Sequence, residues 1–410
     1  MMTARECYRR IALFQKADYI PNYEGGYAPR TVRQWWTEGL PVGMQPQEYF
    51  GLDKVEIMRD ISLAPMPGVT GQHQSLDQYR PLLEPLGYTV RFDEQHNMVA
   101  CRDDHEFYIG HNSWGCVRLY LKRGDADDDM AESAFVNVHG ALQSAEEWQA
   151  IRGHFQPDIS ARYGDERPGK RWADRVAAWR GHAHVLVLEG PSMVGGIVQE
   201  MSFENYAVQL YENRSMIEEL MDARTNLAIE IFDRAVADVD FDMLWFWEDM
   251  AFRNGPYISP ALFEELAVPR YRRLADWYRS RGGEIVAVDS DGDIRLLIPG
   301  WLRGGINHIW PLEPFAGMDV VALRKEYGQA FSMRGGIDKY VVSKGKDAID
   351  RELDRICPVV QDGGYIPHLD HMLPHAPFED YCYYMEQKHK LLGTRPNPRS
   401  AHARKSDATG

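Results

Sequence analysis

From about residue 131 onward, short and nearly unbroken apolar runs alternate with longer stretches of helical character. The runs are "AFVNVHG", "HVLVLEG", "DMLWFWED", "GEIVAVDSDGD", "INHIWPLE", "AFSMRGGID" and "GGYIPHLD". Apolar residues that follow one another without polar alternation fit strands buried on both faces. Between the runs lie "SFENYAVQLYENRSMIEELMDARTNLAIEIFDRAVADV", "SPALFEELAVPRYRRLADWYRSRGG" and "VSKGKDAIDRELDRICPVV". The last two repeat apolar residues at helical spacing, and "SPALFEEL" opens with Ser259 as a cap and Pro260 in the first turn. Strand alternating with helix predicts a parallel sheet with helical crossovers.

Nearly every apolar run ends in a polar group: His139, Glu189, Glu248 with Asp249, Asp289 with Asp291, Glu313, Arg334 with Asp338, and Asp370 with His371. An open doubly wound sheet needs this only near its switch point, whereas a barrel gathers the C-terminal ends of most strands at one site. The pattern therefore predicts an α/β fold, a (β/α)8 TIM-type barrel over residues 131–393. One or two of its strands would be hidden in an irregular N-terminal extension, residues 1–130, that contributes to or covers the barrel. That extension holds turn signals ("PNYEGGYAPR", "APMPGVTG") and strand-like pieces ("GYTVRF", "MVACR", "CVRLYLK"), and its acidic run "GDADDDMAES" reads as a solvated loop. The tail from Thr394, residues 394–410, is expected to be disordered.

The 410 residues carry a formal charge of −15, which argues against nucleic acid as a partner, and no basic block suggests an anionic membrane surface. Five cysteines are scattered without metal-ligand spacing or a disulfide framework. No apolar stretch is long enough to span a bilayer, and the start has no signal-peptide core. A cytoplasmic protein with a small-molecule substrate is the expectation.

The stretch "VAVDSDGDIRLL", from Val286 to Leu297, concentrates the candidate chemistry. Side chains alternate along a strand, so Asp289 and Asp291 point the same way, into a barrel mouth if the strand lines one. Two like charges that close need a cation, or a shared proton that leaves one as a general acid. A strand followed by D-x-D-G resembles the phosphorylated motif of the haloacid dehalogenases, but that motif opens its domain, and only about 120 residues follow here. A calcium-binding EF-hand loop fails, because Gly292 comes fourth and Gly300 stands where the closing Glu belongs.

The flanks carry a wider likeness. The helix "SPALFEELAVP", the strand end Asp289-Ser290-Asp291-Gly292-Asp293, the later Gly335-Gly336-Ile337-Asp338 and the closing Asp370-His371-Met372-Leu373-Pro374 follow one another in order and spacing. Over about residues 180–392 the chain resembles the uroporphyrinogen decarboxylase superfamily, which includes the decarboxylase and zinc-dependent corrinoid methyltransferases. The resemblance implies a distorted (β/α)8 barrel. It also implies that Asp289, Asp291 and His371 stand where the zinc methyltransferases place a His and two Cys ligands. Carboxylates in place of thiolates make a harder site that would still take Zn²⁺, or Mn²⁺ or Fe²⁺, as a Lewis acid on an oxygen.

Other candidates surround these. One of Glu248 and Asp249 should face the site and the other should not, since neighbours alternate. Trp245 and Trp247 would pack the barrel core or wall the substrate pocket. Arg334 and Asp338 are candidate substrate contacts; Arg334 could hold a substrate carboxylate or pair with a neighbouring Asp. His139 ends an early run and is either a substrate contact or a hydrogen-bonded core histidine.

The arginine-bearing N-terminal segment of authentic uroporphyrinogen decarboxylases has no match. "APRTVRQWWTEGLP" supplies Arg30 and Arg33 alone. The methyltransferase branch fits better: a small O- or N-methyl donor, with the corrinoid supplied by a separate partner protein because no D-x-H-x-x-G motif occurs. A decarboxylase, or another cobalamin-independent lyase or hydrolase acting on a small carboxylated or aromatic compound, is the alternative.

Overall fold

A computed structural model of the chain describes residues 2–59, 61, 63, 76–111, 116–122, 135–140, 142–164, 167 and 169–395. The acidic run at 124–133 lies outside them. The chain forms two units, Met1–Asp60 with Asp165–Gly190 and Asp233–Gly410, and Ile61–Gly164 with Pro191–Phe232. This division replaces the single boundary expected near residue 130.

The first unit holds a curled, all-parallel sheet of seven strands: β1 (Val55–Met58), β2 (Val185–Glu189), β3 (Met243–Trp247), β4 (Ile285–Asp289), β5 (His308–Trp310), β6 (Ser332–Ile337) and β7 (Tyr365–Leu369). Each strand pairs with the next in sequence order. Helices form the returns, among them Pro260–Leu266 and Val268–Ser280 before β4, Ile298–Arg303 before β5, Val320–Tyr327 before β6 and Lys346–Asp362 before β7. This is the barrel-type α/β architecture that the pattern predicts, with β1 drawn from the first third of the chain.

β1 and β7 do not pair with each other. The extended segment 20–28 meets both edges instead. Asn22 accepts from Asp53 N just ahead of β1, while Gly26 accepts from Leu373 N and Leu373 accepts from Ala28 N just beyond β7. Glu24 takes the Leu369 amide in its carboxylate at 3.0 Å and the buried Lys388 ammonium at 2.6 Å. Lys388 also donates to Asn22 Oδ1 and Tyr23 O. The gap between the outer strands is thus filled by irregular backbone whose polar groups are met, as buried backbone requires.

Both faces of the sheet are buried. Leu186, Leu244, Phe246, Val286 and Val288 alternate with the inward Val185, Val187, Met243, Trp245, Ile285 and Ala287. The N-terminal helix Ala4–Ala12 starts in a capping box of Thr3 and Glu6 and sends Tyr8, Ile11 and Ala12 into the same core. It closes the N-terminal end of the sheet: Arg5 N–H donates to Ala183 O, and the Arg5 side chain pairs with the buried Asp242 at 2.7 Å.

The second unit carries a five-stranded antiparallel sheet, Thr89–Phe92, Met98–Arg102, His105–His111, Val117–Lys122 and Phe135–His139. The helix Leu76–Leu83 packs on it through Tyr79 and Leu83. "AFVNVHG", expected to open the parallel alternation, is here an edge strand paired antiparallel to Val117–Tyr120. An apolar run reports burial and not strand direction. At the C-terminus, Thr394 bridges to Ile20 and Arg395 pairs with Asp53 at 2.7 Å, so these two residues, expected to begin the tail, are held in place. Among the described residues no helix is long and apolar enough to cross a membrane.

Candidate metal centre

The three aspartates after β4 have three different surroundings. Asp289, last in its strand, accepts the Trp310 indole N–H at 2.7 Å. Asp291 accepts from His371 Nε2 at 3.0 Å. Asp293 turns to Arg295 in a two-point ion pair. Gly292 makes this path possible. Its φ of +82° is costly for other residues, and a Cβ there would stand 2.4 Å from Ala251 O. Its N–H donates to Glu313 Oε2 at 2.7 Å, which brings the acid following β5 to the end of β4.

His371 arrives from the turn after β7. Asp370, buried, accepts the His371 and Lys339 backbone N–H groups and fixes that turn. On the other side Gly25 of segment 20–28 touches the His371 backbone, where a Cβ would lie 2.7 Å from the carbonyl carbon. The imidazole Nδ1 is buried without a hydrogen-bond partner, 3.5 Å from Glu313 Oε1 and 3.8 Å from Asp370 Oδ2. One donor atom from each of Asp291, Glu313 and His371 lies within 4.8 Å of the others.

Asp249 completes the ring of acids. Its φ of +38°, in the left-handed region, departs from strand alternation just past β3. Burial, with Asp291 and Glu313 nearby, pushes its carboxyl up to about 6. Burial and the Asp291 charge push Asp289 up to about 7, against the Trp310 hydrogen bond. Burial opposes charge on His371, but the carboxylates of Asp291 and Asp370 prevail and hold the imidazole at about 10. The proton on His371 thus offsets part of the local negative charge.

An imidazole and two carboxylates are a borderline-to-hard donor set suited to Zn²⁺, Mn²⁺ or Fe²⁺. The partnerless Nδ1 and the surplus of acid around one histidine fit such an ion. Asp291, Glu313 and His371 would hold it, and it would supply Lewis acidity toward an oxygen or nitrogen of a substrate. Of the residues singled out in sequence, Asp291 and His371 meet directly. Asp289 stands beside them on Trp310, outside the trio. Glu313, one of the polar strand ends, was not among the expected ligands; the run-end rule had already flagged it.

The other candidates disperse. Glu248 is fully buried behind the strand end, while Asp249 faces the acids. Trp245 stacks on Trp310 inside the sheet, with centroids 6.0 Å apart and planes within 10°. Trp247 is half-buried and sits opposite Asp289 in register. Asp338 accepts from Tyr340 N and pairs with Lys344 in the turn after β6, away from the trio. Arg334 points inward, its Nε donating to His368 Nε2 at 2.9 Å. His139 belongs to the second unit, and its side chain lies outside the described residues.

No family model matches the chain, and no curated protein matches it. Among solved structures, a methyltransferase from Methanosarcina mazei is similar over 95% of this chain and 99% of its own, at 12% identity and a TM-score of 0.48. A B12-independent methionine synthase from a Shewanella species, in complex with selenomethionine, is similar over 58% of this chain and 67% of its own, at 12% identity and a TM-score of 0.34. Neither assigns this chain an activity or a residue.

Proposed function

We propose that the chain is a barrel enzyme acting on a small molecule at the C-terminal end of its parallel sheet. Its reaction in this reading is methyl transfer from an O- or N-methyl donor, with a corrinoid supplied by a separate protein. The observation that carries the reading is the meeting of His371 with Asp291 and Glu313, contributed by three different strand ends. The resemblance of residues 180–392 to the uroporphyrinogen decarboxylase superfamily, and to its corrinoid methyltransferases in particular, supplies the reaction class.

The chain's own residues have distinct parts. Asp291, Glu313 and His371 would hold a divalent ion, Zn²⁺ first, that polarises the donor heteroatom. Once the methyl group has gone, that heteroatom needs a proton. Asp289, held at about 7 by burial and the Asp291 charge, retains its proton over a substantial part of the neutral range and keeps it near the reacting end. Trp310 fixes the direction of that carboxyl through its indole N–H. Trp245 stacks on that indole and holds it in place.

A second reading, a cobalamin-independent lyase or decarboxylase, is favoured by the same carboxyl, since a general acid serves bond cleavage without a methyl acceptor. One experiment separates the two. Metal-loaded protein is mixed with methoxy- or N-methyl donors, reduced cobalamin and candidate corrinoid carriers. Appearance of the methyl-cob(III)alamin spectrum is expected, with loss in Asp291→Ala. Turnover of uroporphyrinogen or of a carboxylated aromatic without cobalamin would favour the second reading instead.

A further inference from the structure

Two polar donors inside the sheet have no hydrogen-bond partner, and a third, Arg334, has the neutral acceptors His368 and Tyr8 but no carboxylate among the described residues. Arg334, on β6, spends its Nε on His368 and lays its guanidinium near the Tyr23 and Trp310 rings, 5.1 and 5.2 Å from their centroids. It is half-buried, and among the described residues no carboxylate pairs with it. The Tyr23 hydroxyl is buried without a hydrogen bond, and so is the Trp245 indole N–H. Tyr23, Trp245 and Trp310 belong to one packed cluster. A buried donor left without an acceptor is destabilising, and a partly buried cation without a counterion is more so. Among the described residues, this cluster brings together a cation without a carboxylate and two neutral donors without an acceptor.

The two histidines nearby cannot serve as counterions. His368 donates Nδ1–H to Leu369 O at 2.6 Å and accepts from Arg334 at Nε2. His308 accepts the Tyr8 hydroxyl at Nε2 and donates Nδ1–H to Ser332 Oγ, both at 2.8 Å. Both rings are neutral in these roles. The Arg334 charge is therefore available, one indole away from Asp289, because Trp310 touches both.

We propose that Arg334, with the Tyr23 hydroxyl and the Trp245 indole N–H, anchors the carboxylate of a small substrate in the interior of the sheet, beneath the Asp291–Glu313–His371 trio. A single guanidinium fork matches one planar monoanion in a bidentate fashion. A dianionic phosphate would bring surplus negative charge close to five acids. The ring walls of Tyr23, Trp245 and Trp310 suit a flat, aromatic body on that carboxylate. The assignment deepens the function proposed above by naming the substrate class: an aromatic carboxylic acid whose reacting substituent lies at the end away from the carboxylate.

Calorimetric titration of the full chain with benzoate, benzamide and phenyl phosphate tests this. Benzoate is expected to bind about tenfold or more tightly than its neutral isostere and than the phosphate, and Arg334→Gln should abolish the preference. Tyr23→Phe should weaken benzoate several-fold without lowering the melting temperature, because its hydroxyl has no bond to lose in the free protein. This second variant keeps the test sound if Arg334→Gln misfolds. Asp291→Asn should keep the benzoate preference even where metal and methyl transfer are lost, so failure of the metal reading is distinguishable from failure of this one. Equal binding of benzoate and benzamide, a preference that survives Arg334→Gln, or no benzoate binding at ~10 mM would each overturn the assignment.

Discussion

His371 Nε2 lies 3.0 Å from Asp291 Oδ1, across 80 residues of sequence. Glu313 Oε1 lies 3.5 Å from the other ring nitrogen, Nδ1. Purified protein is therefore expected to bind one divalent ion per chain. Glu313→Gln and His371→Ala should each weaken it at least about tenfold, whereas Asp289→Asn should leave it bound, because Asp289 is held by Trp310 outside the trio. Elemental analysis after dialysis against a weak chelator checks the order of these effects.

Gly292 should be intolerant of any side chain. In Gly292→Ala the positive φ and the 2.4 Å approach to Ala251 O both oppose the native turn. A loss of about 1–3 kcal/mol in stability is expected, and metal affinity should fall with it, since the Gly292 N–H orients Glu313. Denaturant melts and metal titration on the same variant measure the two effects together.

Acid should loosen the first unit through His308. Burial, with the Arg334 charge adding to it, holds this ring's pKa down at about 3, against about 6.5 in an unfolded chain. Between those values the unfolded state binds the proton and the folded state does not. The stabilising contribution is complete above pH 6.5 and is lost as pH falls toward 3, at up to about 1.4 kcal/mol per pH unit from this one group. Urea midpoints from pH 7 down to pH 4 should fall steeply for the native chain and less steeply for His308→Asn.

The pair of Lys388 and Glu24 is fully buried. Removing one partner strands the other charge, so Lys388→Met should cost about 3–5 kcal/mol, and the double variant with Glu24→Gln should recover part of that loss. A double-variant cycle in thermal melts gives the coupling.

Much of the first unit was legible along the chain. Runs such as "MLWFW" and "IVAVD" have to be buried on both faces, and the polar residue ending each run marks the C-terminal edge of the sheet. That rule reached Asp291, His371, Asp249 and Glu313 alike. Grouping them was harder. Asp289 and Asp291 share a face by alternation, but a turn through Gly292 follows the strand and sends Asp291 to His371 while Trp310 retains Asp289. The left-handed backbone at Asp249 likewise settles what alternation left open between it and Glu248. The antiparallel sheet of the second unit was visible only as pieces, because strand direction depends on partners that no local pattern records.

Segment 20–28 lies between the first and last strands and is tied by Lys388, more than 360 positions further along. This segment must then wait for residues made some 364 positions later before its polar backbone finds a permanent home. Loop-closure entropy of that scale makes final closure a late event. A chain cut short before the helix Phe378–Leu392 should remain open at this seam and be readily digested there.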